Sequence, residues 1–262
     1  MKIREAAVEG SFYPSDREEL RNMVRQFFEN AKLVDLPNLK AIVSPHAGYI
    51  YSGSVAGISF KQLSNLDREK FWKVFIVAPS HFSYFSGVSV GVFDAYQTPM
   101  GLVNVSKISS KMLSEDNFHF VLDAHVEEHS IEVQLPFLQY SLPHFEIIPI
   151  ITGEISSSYL GDVLIKYFDE NSLILVSSDL SHYHSYESAK KIDENCNKAV
   201  EDLDLRKLQK CEACGKTGLE TLIYIARQEN WKSKVLSYMT SGDTAGPKDQ
   251  VVGYGSYVFY KE

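Results

Sequence analysis

Three histidines, His46, His81 and His182, each follow a short apolar run and a small polar turn. The carboxyl ends of neighbouring strands border the ligand crevice in α/β sheets, so we expect the three imidazoles to converge there. A fourth apolar segment, 235–239, leads to Asp243, which we expect to bring a carboxylate to the same edge. Because imidazole and carboxylate ligands suit non-haem Fe(II) and also Zn(II), the pattern predicts a metal site. For each histidine taken alone, a hydrogen bond that caps a loop is the alternative.

A sheet of buried strands is predicted to position these side chains, because the apolar runs do not alternate with polar residues. The runs cover 41–43, 74–77, 88–92, 147–151, 173–176 and 251–259. Helix patterns lie between the runs at 54–65, 106–115, 129–140, 157–169, 185–201 and 215–229. The alternation predicts one α/β domain over 1–262, a three-layer sandwich with a central mixed, largely parallel sheet flanked by helices. Pro149, inside one apolar run, predicts a sheet edge or a bulge at that point.

The composition limits the classes of protein that fit the chain. With a net charge of −8 over 262 residues, it lacks the basic stripe of a broad nucleic-acid surface. No run approaches the roughly 18 apolar residues of a membrane span, and the N-terminus lacks an apolar core of signal-peptide length. We therefore expect a soluble, cytoplasmic protein that binds neither nucleic acid nor membranes. Three cysteines do not predict a disulfide scaffold.

Several longer motifs around the histidines resemble one known family. They read SPHAGYIYSG at 44–53, PSH at 79–81, TPMG at 98–101, EHSIEVQLP at 128–136 and SSDLSH at 177–182, with REA at 4–6 and GSFYP at 10–14. Together these motifs make the sequence similar to the Memo (mediator of cell motility) family from residue 4 to residue 259. Each motif alone is weak, but the combination is specific.

The resemblance implies a fold shared with the class III extradiol ring-cleaving dioxygenases, which hold Fe(II) with two histidines and a glutamate. By motif position, His46 and His81 match the two ligand histidines, and His182 matches the general base. The third ligand departs from the pattern, because animal Memo proteins carry a cysteine where this chain has Thr244, with Asp243 beside it. We expect Asp243 to supply the missing carboxylate, and Thr244 is a further pocket candidate.

Two functions from different classes follow from this resemblance. As an oxidoreductase, the site would hold Fe(II), with Zn or Cu as alternatives, on His46, His81 and Asp243, and would leave positions open for a catecholate and dioxygen. His182 would accept a proton from a substrate hydroxyl, while Asp179 would orient a neighbour. Alternatively, the same pocket is a non-catalytic binding module for a phosphate- or carboxylate-bearing peptide or metabolite. A small-molecule or peptide ligand is the expected partner in both cases.

Residues 125–129 read H-x-x-E-H, a pattern that some zinc proteases place on a helix. We interpret this segment instead as a loop that enters a helix, because acidic residues favour a helix start. The resemblance places Glu128 and His129 near the cleft, where His129 is either a pocket residue or a buried, hydrogen-bonded histidine. Tyr49 is a further pocket candidate, with half-buried packing as the alternative.

Cys211 and Cys214 form a lone C-x-x-C motif. A structural zinc site would need two more ligands, and Cys196 is the only other cysteine. A thioredoxin-like role would need a strand before the motif, where the sequence instead looks helical and polar. We therefore expect two ordinary cysteines near a helix turn, with a disulfide between them as the alternative.

Overall fold

The computed structural model describes residues 1–262, and its main strands coincide with the predicted apolar runs. The strands are β1 (Ile3–Arg4), β2 (Leu39–Ser44), β3 (Trp72–Pro79), β4 (Val88–Val90), β5 (Ala95–Thr98), β6 (Gly101–Asn104), β7 (Phe118–His119), β8 (Phe145–Thr152), β9 (Ser172–Ser177), β10 (His182–His184), β11 (Lys232–Thr240) and β12 (Val251–Tyr260). None of the helices has the length and apolar character needed to cross a bilayer.

Helices occupy the intervals between the strands. They are α1 (Arg17–Asn30), α2 (Tyr49–Lys61), α3 (Lys107–Met112), α4 (Asp123–Val126), α5 (His129–Glu132), α6 (Leu135–Ser141), α7 (Ser157–Tyr167), α8 (Tyr186–Glu201), α9 (Leu205–Leu208) and α10 (Lys216–Gln228), with 3₁₀ segments at Gln62–Asn65 and Ser241–Asp243. The single helix predicted over 129–140 is two helices, α5 and α6. Pro136 lies in the first turn of α6, a position that suits proline because the N–H has no helical partner there.

One sheet of nine strands organises the protein, in the order β10-β12-β2-β9-β3-β8-β4-β7, with β11 also paired to β12. The central strands β2, β9, β3 and β8 run parallel, and β12 and β4 pair antiparallel on either side of them. A separate three-stranded sheet contains β1, β5 and β6. The mixed α/β architecture predicted from the sequence is confirmed.

Helices cover both faces of the sheet, because alternate residues of each central strand pack into different apolar cores. In β3, Val74 and Ile76 belong to one core and Phe75 and Val77 to the other. Helices α1, α2 and α6 supply the first core, and α7, α8 and α10 supply the second. Because β2, β9 and β3 are parallel neighbours, their carboxyl ends meet at one edge of the sheet, where α/β proteins bind ligands.

The expectation of an edge or a bulge at Pro149 is wrong. Pro149 lies in β8, between β3 and β4, in regular register with Ile76. Its carbonyl accepts a hydrogen bond from the N–H of Gly91 at 2.8 Å, one residue after β4 ends. The missing N–H of Pro149 faces the same side, so the proline removes no bond from the ladder with β3.

The cysteines pair differently from the expectation. Cys211 forms a disulfide with Cys196 of α8, with 4.9 Å between the Cα atoms, and Cys214 keeps a free thiol. The expectation of an ordinary cysteine is therefore wrong for Cys211. The cause is a tertiary contact, because α9 packs against α8 and so brings Cys211 close to Cys196. The C-x-x-C spacing does not reveal this contact.

Candidate metal centre

Three histidines, His46, His81 and His129, form a cluster in which one ligand atom of each lies within 4.8 Å of the others. Their ring centroids are 5.1 Å apart for His46 and His81, 5.5 Å for His46 and His129, and 4.6 Å for His81 and His129. The ring of His46 is buried, while those of His81 and His129 are partly exposed. These three imidazoles could hold a metal ion.

The sheet explains how the cluster forms. His46 lies two residues after β2, and His81 lies two residues after β3. The parallel strand β9 separates these two strands in the sheet, so both turns emerge at the same edge. His129 is the first residue of α5 and joins them from outside the sheet. The strand-end pattern therefore predicts the first two histidines, and only the family resemblance pointed to His129.

Hydrogen bonds fix the tautomer of His46. Ser177 Oγ donates to the carbonyl of Ser130 at 2.6 Å and accepts from Nε2 of Gln134 at 2.8 Å. Because its single proton is already committed, Ser177 Oγ can only accept from Nδ1 of His46, which lies 2.8 Å away. Nδ1 therefore carries the proton, and Nε2 holds the lone pair that a metal would use.

Glu128 anchors His81. Its Oε1 lies 2.8 Å from Nδ1 of His81, and its Oε2 accepts the backbone N–H of His81 at 2.6 Å. The same carboxylate caps α5 by accepting the N–H of Ser130 at 3.0 Å, and it lies 3.4 Å from Nδ1 of His129. Burial alone would raise the pKa of Glu128, but the hydrogen bonds and charge of His81 lower it to about 2. A carboxylate thus holds the ring of His81 and lies beside the ring of His129.

His46 and His129 favour the neutral form that metal binding requires. Burial, together with the other histidines, lowers the pKa of His46 well below its ordinary value. Burial lowers the pKa of His129 to about 4, although Glu128 opposes that effect. Because a metal ligand must present a lone pair rather than a proton, these pKa values keep the rings of His46 and His129 ready to bind near pH 7.

The carboxyl group of Asp179 and the thiol of Cys214 lie against the backbone and ring of His46. Oδ1 of Asp179 accepts the backbone N–H of His46 at 2.8 Å, and burial raises the pKa of Asp179 to about 7. The sulfur of Cys214 lies 3.2 Å from Nε2 of His46, and burial followed by the charge of Asp179 raises the pKa of that thiol to about 12. The sequence interpretation missed Cys214, because its contact arises from the end of the disulfide-bonded loop.

Asp243 and Thr244, in the turn at 241–244, form hydrogen bonds near that turn. Oδ2 of Asp243 accepts from the N–H and hydroxyl of Thr240 at 2.8 and 2.9 Å, and Oδ1 accepts from the hydroxyl of Tyr186 at 2.6 Å. The hydroxyl of Thr244 donates to the carbonyl of Ser241 at 3.2 Å. The carboxylate expected as third ligand is therefore engaged in capping its own 3₁₀ turn, and Asp243 does not belong to the group of ligand atoms that the three histidines form.

His182 and Tyr49 occupy different surroundings. His182 begins β10, opposite Val252 of β12, and is partly exposed. Burial lowers its pKa, and repulsion from a charged His81 adds to this effect. His182 does not belong to the three-histidine cluster. Tyr49 is buried and its hydroxyl donates to the carbonyl of Val133 at 2.6 Å, which is the packing alternative to a pocket role.

The H-x-x-E-H segment does not form one metal-binding face. Nδ1 of His125 lies 3.0 Å from the hydroxyl of Tyr96, and its Nε2 lies 2.9 Å from Oγ of Ser89. Both ring nitrogens of His125 are thus occupied inside the protein. His125 and His129 belong to separate short helices, α4 and α5, so the protease-like reading has no support from the geometry.

The fold and the cluster define an α/β protein with a candidate metal centre at the carboxyl edge of its sheet. Residues 4–258 match the model of the Memo family, which is described as "Memo-like protein". A MEMO1 family protein of Saccharolobus solfataricus is 37% identical, over 95% of this chain and 96% of its own length. Another, of Aquifex aeolicus, is 36% identical over 99% of this chain and 100% of its own length. The chain belongs to the Memo family.

Among solved structures, an uncharacterized protein of Escherichia coli K12 is similar, with a TM-score of 0.47 and 12% sequence identity. The similarity covers 85% of this chain and 100% of that protein. Likeness at this level carries no conclusion about the site.

Proposed function

We propose that the chain is a metal-dependent oxidoreductase in which His46, His81 and His129 hold Fe(II). The observation that carries the proposal is the clustering of three imidazole ligand atoms within 4.8 Å of one another. His46 and His81 are held through Nδ1, so Nε2 is the nitrogen that would face a metal on each ring. On His46 this nitrogen lies 3.2 Å from the sulfur of Cys214, and a metal ion would replace that contact. Orientation of the ring by a hydrogen bond from its other nitrogen is the usual arrangement of a metal-binding histidine.

The donor set fits a first-row transition metal. Neutral imidazoles suit Fe, Zn and Cu, and burial favours the neutral form of His46 and His129. Zinc also accepts three histidines with one position open, and the resemblance to the extradiol dioxygenases makes Fe(II) the preferred ion. When bound, such an ion supplies a positive centre that polarises an oxygen-bearing ligand.

His182 is the proposed proton acceptor for a substrate hydroxyl. Its ring is partly exposed beside the cluster, and burial lowers its pKa, so it is neutral and able to accept a proton near pH 7. Glu128 holds His81, and Asp179 holds the backbone of His46. These two carboxyl groups position the ligands.

A binding module remains the second candidate, and one observation favours it. The cluster contains no carboxylate ligand, because Asp243 is engaged with Thr240 and Tyr186. A divalent ion on three neutral imidazoles keeps its full positive charge, which suits a phosphate or carboxylate group of a peptide or metabolite. With a net charge of −8 on the chain, a small ligand or peptide fits better than nucleic acid.

Metal analysis of the chain purified without a histidine tag tests the site. We expect one metal ion per chain after loading, and its loss in His46→Ala, His81→Ala and His129→Ala. His144→Ala is the matched control, because His144 is exposed and outside the cluster. Unchanged metal content in all three cluster variants would remove the proposal.

Oxygen consumption separates the two candidate functions. Fe(II)-loaded protein is mixed with a panel of catechols in an oxygen electrode, and we expect uptake that is lost in His182→Phe with the metal content retained. Tight binding of a phosphorylated or carboxylated ligand without any oxygen uptake would instead favour the binding module.

A further inference from the structure

Tyr183 has a backbone conformation that its side chain disfavours. Its φ of 61° lies in the left-handed region, where the Cβ of an L-residue crowds the backbone. A positive φ occurs at four other non-glycine residues, which are Asn38, Asn117, Leu203 and Asn230. Asparagine tolerates this region well, and Leu203 packs against the second core. Tyr183 is therefore the one bulky residue among the five that is exposed.

A bulge in β10 accounts for the conformation. His182 lies opposite Val252 of β12, and His184 lies opposite Val251. Because Val251 and Val252 are consecutive, Tyr183 is an extra residue without a partner on β12. Its side chain is 71% exposed, and its ring centroid lies 5.8 Å from that of His182. Bulges are common next to active sites, where they redirect a side chain.

The bulge lies close to the segment that contacts the histidine cluster. Oδ1 of Asp179 accepts the backbone N–H of His46 at 2.8 Å, and Asp179 is four residues before Tyr183. Four residues of chain span at most about 14 Å, so Tyr183 lies within that distance of Asp179. The segment between them is fixed, because the N–H of Leu180 donates to the carbonyl of Gly253 at 2.8 Å.

We propose that Tyr183 determines specificity by packing its ring on the aromatic ring of a ligand whose hydroxyl group faces His182. The inference rests on the proposed function and names a hydroxylated aromatic compound as the ligand class. An exposed tyrosine ring offers an apolar face to such a compound, and aromatic pairs are favourable beyond the area that they bury. Left-handed backbone at a residue other than glycine clusters at ligand-binding sites, where the surrounding structure maintains it.

Binding of 4-nitrocatechol to the Zn(II)-loaded full chain tests the proposal without turnover, because Zn(II) has no redox chemistry. The absorbance of the nitrocatechol is followed during titration, and the metal content of each variant is measured. We expect Tyr183→Ala to weaken binding about fivefold or more, and Tyr183→Phe to stay within about twofold of the wild type. Both variants should keep their metal. Phe71→Ala is the matched control, because Phe71 is 55% exposed and lies before β3, at the opposite edge of the sheet.

Urea unfolding of the metal-free protein separates a ligand contact from a structural role. Tyr183→Ala removes the ring but keeps the left-handed strain, whereas Tyr183→Gly removes both, because glycine adopts a positive φ without steric cost. We expect Tyr183→Ala to unfold near the wild-type urea concentration, since the ring is exposed. Tyr183→Gly should unfold at a higher urea concentration than Tyr183→Ala and should bind 4-nitrocatechol equally weakly.

Each contrary outcome has a distinct meaning. Equal binding by the wild type and Tyr183→Ala would overturn the role of Tyr183 and leave the proposed function standing. No binding of 4-nitrocatechol to the Zn(II)-loaded wild type would overturn both. A loss of stability in Tyr183→Ala that accompanies the loss of binding would also overturn the role of Tyr183, because the ring would then support the fold rather than contact the ligand.

Discussion

Glu128→Gln keeps the size of the anchoring side chain and removes its charge. Oε1 accepts from Nδ1 of His81 at 2.8 Å and from the N–H of Ser130 at 3.0 Å, while Oε2 accepts the N–H of His81 at 2.6 Å. A glutamine has one carbonyl oxygen, so its NH₂ group must face one of these N–H donors. Because Glu128 is 2% exposed, water cannot replace the lost hydrogen bond, and we expect a large effect.

The magnitude follows from the pKa of Glu128. The difference between its ordinary pKa of 4.5 and about 2 in the folded protein corresponds to about 3 kcal/mol, since one pKa unit is worth about 1.4 kcal/mol. Because the folded pKa is depressed, this stabilisation is present above pH 4.5 and is lost as the pH falls toward 2. At pH 3.5 we expect about 1 kcal/mol of it to be gone.

Two measurements check the prediction for Glu128→Gln. Urea unfolding of the metal-free protein should show a loss of about 3 kcal/mol at pH 7 and a smaller loss at acid pH. Chelator competition should show metal affinity reduced by about 10- to 100-fold, the usual effect of removing a group that orients a ligand. Glu127→Gln is the matched control, because Glu127 is adjacent and exposed. If both variants behaved alike, the anchoring role of Glu128 would be refuted.

Three further predictions concern the same edge of the sheet. Asp243→Asn should keep one metal ion per chain and lower thermal stability by about 1 kcal/mol through the weakened cap on Thr240; loss of metal would contradict this. Ser177→Ala should reduce metal affinity about tenfold, because Nδ1 of His46 loses its acceptor; unchanged affinity in chelator titration would contradict it. Because burial lowers the pKa of His129 to about 4, the protein should still retain its metal ion after dialysis at a pH below 6. Release of the metal ion with a midpoint near pH 6.5 would contradict a buried, neutral His129 ring.

The strand-end positions of His46 and His81 could be predicted from the sequence because both depend on local pattern. An unbroken apolar run followed by a polar turn defines the end of a buried parallel strand, and parallel neighbours must share the edge at which their turns emerge. The same logic predicted the sheet and the helices on its two faces. It needed no knowledge of which helix packs against which strand.

Asp243 and Cys214 lay beyond that reasoning because tertiary contacts decide where their side chains point. The carboxylate of a residue in a short turn can cap the backbone of that turn, and Asp243 does so by accepting the N–H of Thr240. The spacing of apolar residues gives no information about this local hydrogen bond. Cys214 reaches His46 across 168 residues of chain, where its N–H donates to the carbonyl of Asp179 at 3.2 Å and its sulfur accepts from the N–H of Asp179 at 3.2 Å. The sequence contains these residues but not the distances between them.

The register of the sheet connects the fold to the metal-binding state of His46. In the parallel pairing of β2 and β9, Ser44 lies opposite Ser177. This register places the hydroxyl of Ser177 next to Nδ1 of His46, two residues after Ser44. A slip of one residue would turn Ser177 to the opposite face, and Nδ1 would lose the acceptor that keeps its proton in place. The tautomer of His46, and with it the lone pair on Nε2, is therefore a consequence of strand register as well as of the loop that carries the histidine.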